Sequence, residues 1–151
     1  MQLGLHLKSV HAYYQARPHF RSNSNIDLPF GKFSARTRFV ISESLAGKRI
    51  AVTGSTGFLG TALVERILRE VPDCELVLLV RPTRRNSAER RVQREILRND
   101  AFDSLRSQWG ESFEETCDQR ISVVSGDVSA DGLGLSDLDR RLFISADVII
   151  H

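Results

Sequence analysis

Three glycines spaced three apart, Gly54, Gly57 and Gly60, interrupt the run Ile50-Ala51-Val52-Thr53-Gly54-Ser55-Thr56-Gly57-Phe58-Leu59-Gly60. The residues before them read as a short apolar strand. Those after them open an apolar segment of helical period. A strand, a glycine turn and a helix N-terminus in that order present backbone N–H groups and the positive end of a helix dipole to one spot. That combination suits the pyrophosphate of a dinucleotide. The spacing is G-x-x-G-x-x-G rather than G-x-G-x-x-G. Gly54 is expected to make the sharp exit from the strand. Gly57 lets the backbone approach phosphates without a Cβ between, and Gly60 lets the helix pack closely on the strand.

A second group of residues follows the next apolar run, Glu75–Val80. Sites that prefer an unphosphorylated ribose place Asp or Glu there. This chain has Arg81 instead, then Arg84 and Arg85, and no acid between Leu76 and Ser87. A guanidinium at that point would hold a 2′-phosphate through charge-assisted hydrogen bonds of roughly 1.5–3 kcal/mol each. Arg91, about a helical turn further on, is within reach of the same phosphate, whereas Arg84 and Arg85 read better as solvated surface charges. After a third apolar run, Asp127 offers a carboxylate to an adenine amino group and Val128 a backbone N–H to the ring. His151 stands alone after the fourth run and is assigned no proton-transfer role. Cys74 and Cys117 form no CxxC pair, and the four histidines do not combine with them at a zinc spacing, so no metal site is expected.

The elements that must position these groups follow from the hydrophobic pattern. Arg49–Thr53 reads as a first strand buried on both faces. Phe58 to Glu70 reads as a helix whose Leu59, Ala62, Leu63 and Ile67 share the inner face, with Glu65, Arg66 and Arg69 on the wet side. Val71-Pro72 ends it. Asn86-Ser87-Ala88-Glu89 has the form of a capping box, opening a helix to about Arg98. Phe102, Leu105 and Trp109 continue a second amphipathic segment, read as core packing. Ile121–Ser125 is a third strand, Ser136 opens a short helix carrying Leu138 and Leu142, and Asp147–Ile150 is a fourth strand. The order β-α-β-α-β-α-β implies a parallel sheet with right-handed crossovers, an α/β Rossmann-like, doubly wound architecture represented by about four strands.

Charge divides the 151-residue chain. Residues 1–40 carry six Lys or Arg against the single acid Asp27, while the remainder carries 15 basic and 18 acidic residues. The mildly acidic remainder argues against nucleic acid as a partner. No apolar run approaches the roughly 18 residues of a membrane helix. Residues 1–44, interrupted by Pro18, Pro29 and Gly31, read as a disordered or adventitious leader. Their Arg- and Ser-containing, acid-poor composition is also that of an organellar transit peptide. The ordered domain is expected over 45–151, and both cysteines are expected to be reduced thiols.

Together with Thr53–Gly60, the stretches Leu78-Leu79-Val80-Arg81-Pro82, Ser87-Ala88-Glu89-Arg90-Arg91 and Gly126-Asp127-Val128 resemble the extended short-chain dehydrogenase/reductases. The resemblance is to their fatty-acyl-CoA reductase (male-sterility) and thioester-reductase branch. Asn99–Arg106, Leu133–Ser136 and Val148–His151 are further matches. The resemblance implies NADPH-dependent reduction of an acyl-CoA or other acyl thioester to an aldehyde or alcohol. The cofactor-binding positions it implies are Thr53, Gly54, Thr56, Gly57, Phe58, Leu59, Gly60, Arg81, Arg91, Asp127 and Val128. Separately, the setting is expected to be cytoplasmic, with membrane association through parts outside this chain left open.

One departure stands out. The family's chemistry uses a Tyr-x-x-x-Lys pair, and here the tyrosines are Tyr13 and Tyr14, followed four residues later by Arg17 and Pro18. No catalytic residue is therefore assigned, and the chain is expected to be the inactive, nucleotide-binding half of such a reductase. Two other readings stand beside it: a non-catalytic NADP(H)-binding module, and part of a sugar-nucleotide epimerase or dehydratase.

Overall fold

Apolar runs of five or six residues bounded by turns form strands, and the two central ones are buried on both faces. The computed structural model describes residues 41–151. The leader readings for residues 1–40, with Tyr13 and Tyr14, lie outside the described residues. Residues 41–45 form a helical turn, and Leu45 packs against the main core. The strands are β1 (Arg49–Thr53), β2 (Glu75–Val80), β3 (Ile121–Ser125) and β4 (Val148–Ile150). They form one parallel sheet in the order β3-β2-β1-β4. Val52 stands opposite Leu78 on one side and Ile150 on the other.

Helix α1 (Phe58–Glu70) crosses from β1 to β2. A longer crossover joins β2 to β3. It holds α2 (Ala88–Arg91), widening directly into a π turn at Val92–Leu97, then α3 (Asp103–Trp109) and α4 (Phe113–Arg120). Helix α5 (Asp137–Ile144) precedes β4. Ile50, Val52, Leu76, Leu78 and Val80 face a core closed by Val64 and Leu68 of α1, Ile96 of the π turn, Phe102, and Leu105 of α3. The opposite sheet face is covered by Phe143 of α5, packed on Ala51, Val77, Leu79 and Val124. Helices on both faces of a parallel sheet make the fold doubly wound, as expected.

Several local expectations are corrected. Helix α1 is rotated: Leu59 is 78% exposed and Ala62 is exposed, while Thr61, Val64 and Leu68 face inward. Close approach at Gly60 and the bond from Thr61 Oγ1 to the Ser55 carbonyl (3.0 Å) set that rotation. It also buries Glu65, whose carboxylate pairs with Arg69 at 2.7 Å. Ser87, not Asn86, caps α2: its Oγ accepts from Arg90 N–H. Asn86 is already engaged with Thr83, through both its N–H and its carbonyl. In α5 Leu138 is exposed, and Phe143 takes the core position. Helix α4 was not foreseen.

Candidate nucleotide-binding site

In a parallel sheet every strand ends on the same edge, so the residues that follow the strands are brought together whatever their separation in sequence. That edge gathers Thr53 with the glycine turn after β1, Arg81 after β2, Gly126-Asp127 after β3 and His151 after β4. Chain leaves β1 toward β2 on one side and arrives at β4 on the other. The boundary between β1 and β4 is therefore the switch point at which open α/β sheets hold ligands.

The glycine turn is built as its spacing suggests. Gly54 has a φ of +66° with open space where a Cβ would stand, a backbone that costs other residues roughly 1–2 kcal/mol. Gly57 N–H returns to the Gly54 carbonyl at 3.0 Å. Gly57 is the N-cap of α1 and offers no side chain to its free N–H groups, and the first turn carries no acid. An ideal Cβ on Gly57 would meet only the Gly54 carbonyl oxygen, at 3.3 Å. A 13-residue helix with an uncapped, unneutralised N-terminus above an open glycine turn fits a pyrophosphate. Phe58 and Leu59 follow on this exposed end, and Phe58 is 95% exposed. On the other side Thr53 Oγ1 and His151 Nδ1 share a hydrogen bond of 2.7 Å.

At the β2 and β3 ends, Arg81 is largely exposed and lies 3.4 Å from Asp127 Oδ2. The other Asp127 oxygen accepts from Ser129 N–H (3.0 Å) and Ser129 Oγ (2.7 Å). Those two bonds, with the Arg81 charge as a lesser contribution, hold the Asp127 carboxyl below the usual range. Val128 is exposed beside it. Arg91 reaches in from α2. Its Nη1 donates to the Arg81 carbonyl (2.8 Å), its Nη2 to Thr56 Oγ1 (3.3 Å), and Nε and Nη2 grip Glu95 at 2.9 and 2.6 Å. Hydrogen bonding to Arg91 lowers the Glu95 pKa.

Ten of the eleven candidate residues thus lie along this edge or on the first turn of α1, and the eleventh, Arg91, reaches the edge from α2. Sequence reasoning missed Ser129 and Glu95. The Asp127-Val128-Ser129 spacing of an Asx turn and the i,i+4 spacing of Arg91 and Glu95 were both available as signals. Among the described residues, no group of three or more His, Cys, Asp or Glu side chains forms a metal cluster. No described helix is long and apolar enough to cross a membrane.

Comparison with known families matches residues 52–151 to the NAD-binding family described as male sterility protein. The chain belongs to that family. Its relatives there include fatty acyl-CoA reductase 1 of Arabidopsis thaliana, 39% identical over 111 residues that cover 71% of this chain and 23% of the relative. The alcohol-forming fatty acyl-CoA reductase of Simmondsia chinensis is 34% identical over 114 residues, covering 74% and 23%. A solved relative, the PhqB reductase domain from Penicillium fellutanum, is 27% identical with a TM-score of 0.49, covering 80% of this chain and 32% of that one. The chain spans about a quarter of the length of these two curated relatives. Its membership establishes a nicotinamide-dinucleotide-binding, Rossmann-like portion of the reductase family and sets aside the epimerase or dehydratase reading.

Proposed function

We propose that this chain forms the NADPH-binding portion of a reductase acting on fatty acyl-CoA or a related acyl thioester. The observation that carries the reading is the cationic exit from β2. Arg81 stands where an NADH-preferring site needs a carboxylate, and the nearest acid, Asp127, pairs with it instead of replacing it. In this reading the N–H groups at Gly57 and the first turn of α1 bind the pyrophosphate. Arg81, with the one N–H that Arg91 leaves unused among the described residues, binds the 2′-phosphate. Asp127 and the Val128 N–H meet the adenine. When bound, NADPH would supply the hydride for the reductase reaction. The acyl thioester and the aldehyde or alcohol product come from the relatives' names and the family resemblance; the cytoplasmic setting is carried over from the sequence expectation alone.

This chain binds and orients the nucleotide without turning it over, because neither tyrosine is followed four residues later by lysine. Titration of the chain with 2′,5′-ADP and with ADP tests the nucleotide reading, since both probe only the adenosine half. The reading expects 2′,5′-ADP to bind at least about tenfold more tightly. Equal affinity, or binding of neither, would overturn it.

A further inference from the structure

We propose that Glu95 is a positioning residue of the nucleotide site, acting through Arg91 to hold the glycine turn and the β2 exit at the spacing that distinguishes 2′-phosphorylated from unphosphorylated adenosine. The inference rests on the nucleotide reading above and deepens it. Four of the five N–H groups of Arg91 are engaged. Two of them tie two separate pieces of the site together: Thr56 in the glycine turn, 35 residues away, and the backbone of Arg81. Those two acceptors, a hydroxyl and a carbonyl, are neutral. The other two N–H groups form a fork on the Glu95 carboxylate, a charge-assisted, bidentate contact that confines the guanidinium to one orientation. The Arg91 side chain is only 19% exposed, so its placement is set by these partners rather than by water.

Without Glu95 the bracket loses its charged anchor, and a flexible side chain has two neutral bonds to hold it. The Arg81 backbone and Thr56 are then held together less firmly. The effect falls on the 2′-phosphate, which needs the β2 exit, more than on the pyrophosphate, which needs only the turn and α1. The opposite arrangement has the opposite consequence: if Glu95 merely neutralised an arginine that otherwise binds phosphate, removing it would tighten phosphate binding.

The test is calorimetric titration of the wild-type chain, Glu95→Ala and Glu95→Gln with 2′,5′-ADP and with ADP, alongside thermal unfolding. The Ala variant is expected to lose about tenfold in affinity for 2′,5′-ADP and at most about threefold for ADP. The Gln variant, which keeps an acceptor oxygen, falls between. A merely structural role would not move the ratio of the two affinities. An unchanged ratio, or tighter 2′,5′-ADP binding, would overturn the proposal. Should Glu95→Ala not fold, Glu95→Gln decides: it keeps the shape and one acceptor oxygen but removes the charge from the fork on Arg91, so the ratio should fall, and a preserved ratio counts against the bracket. A wild-type chain that does not prefer 2′,5′-ADP refutes the nucleotide reading itself, before any substitution is compared.

Discussion

Replacing Gly60 by alanine tests whether one close contact sets both the fold and the site. An ideal Cβ at Gly60 would stand 2.8 Å from the Gly54 carbonyl carbon and 2.8 Å from Ser55 Cα, and nearer still to the Gly54 carbonyl oxygen. Carbon atoms pack best at roughly 3.5–4.0 Å. Every one of these neighbours is backbone, so no side chain can swing away, and α1 or the glycine turn must move by more than about half an ångström. Overpacking of this kind costs about 1–3 kcal/mol, and alanine's helix propensity returns at most about 1. A net loss of about 1–2 kcal/mol lowers the melting temperature of a domain this size by roughly 5–10 °C. Thermal unfolding followed by circular dichroism reads the fold, and titration with 2′,5′-ADP reads the turn. Gly57→Ala is the control. Its backbone is extended (φ −80°, ψ 164°) and its Cβ meets a single atom at 3.3 Å. That variant should melt near wild type but bind nucleotide about tenfold more weakly, because the methyl stands where phosphate approaches. A Gly60→Ala variant with wild-type melting and wild-type affinity would refute the reasoning.

Arg120 donates to the carbonyls of Leu68 (2.9 Å), Val71 (2.7 Å) and Cys74 (3.1 Å), and its guanidinium lies 5.9 Å from the Trp109 ring centre. Arg120→Ala should cost roughly 2–4 kcal/mol in urea unfolding, and a loss under about 0.5 would show the contacts to be idle. Ser55 Oγ is buried and finds no hydrogen-bond partner among the described residues. Ser55→Ala should therefore leave stability unchanged or raise it by about 1 kcal/mol, and marked destabilisation would reveal an unseen partner. Burial pushes both thiols up, Cys117 to about 11. Neither should react with a thiol reagent at pH 8 until the chain is unfolded, and fast native labelling would contradict the packing. Because the folded thiol of Cys117 holds its proton more tightly than the usual 9.0, its contribution to stability is complete below about pH 9. It should drain away as pH rises through about 11 in alkaline denaturation.

The strand cores, the glycine turn and the residues after each strand were legible because they rest on short-range rules. Parallel strands are continuous apolar runs, and all of them end on one edge. Helix α4 escaped notice because Phe-Glu-Glu-Thr-Cys-Asp-Gln-Arg buries only Phe113 and Cys117, too few apolar positions to show a period. The rotation of α1 escaped because its determinant is tertiary. Leu59 is as apolar as Val64, and only the approach of Gly60 to the turn decides which of them faces the sheet. The site divides in the same way. Arg81 and Asp127 were readable from position alone, and their pairing follows from β2 and β3 being neighbours. The contact between Thr56 and Arg91 joins residues from separate elements and had no signature in spacing.

The proposed preference for NADPH rests on the cationic β2 exit beside the glycine turn. The most direct measurement is calorimetric titration of the wild-type chain and of Arg81→Ala with NADPH and with NADH. Wild type is expected to bind NADPH at least about tenfold more tightly than NADH, and Arg81→Ala to remove most of that preference while leaving NADH affinity nearly unchanged. Tighter binding of NADH by the wild type, or a preference for NADPH that survives the loss of Arg81, would contradict it.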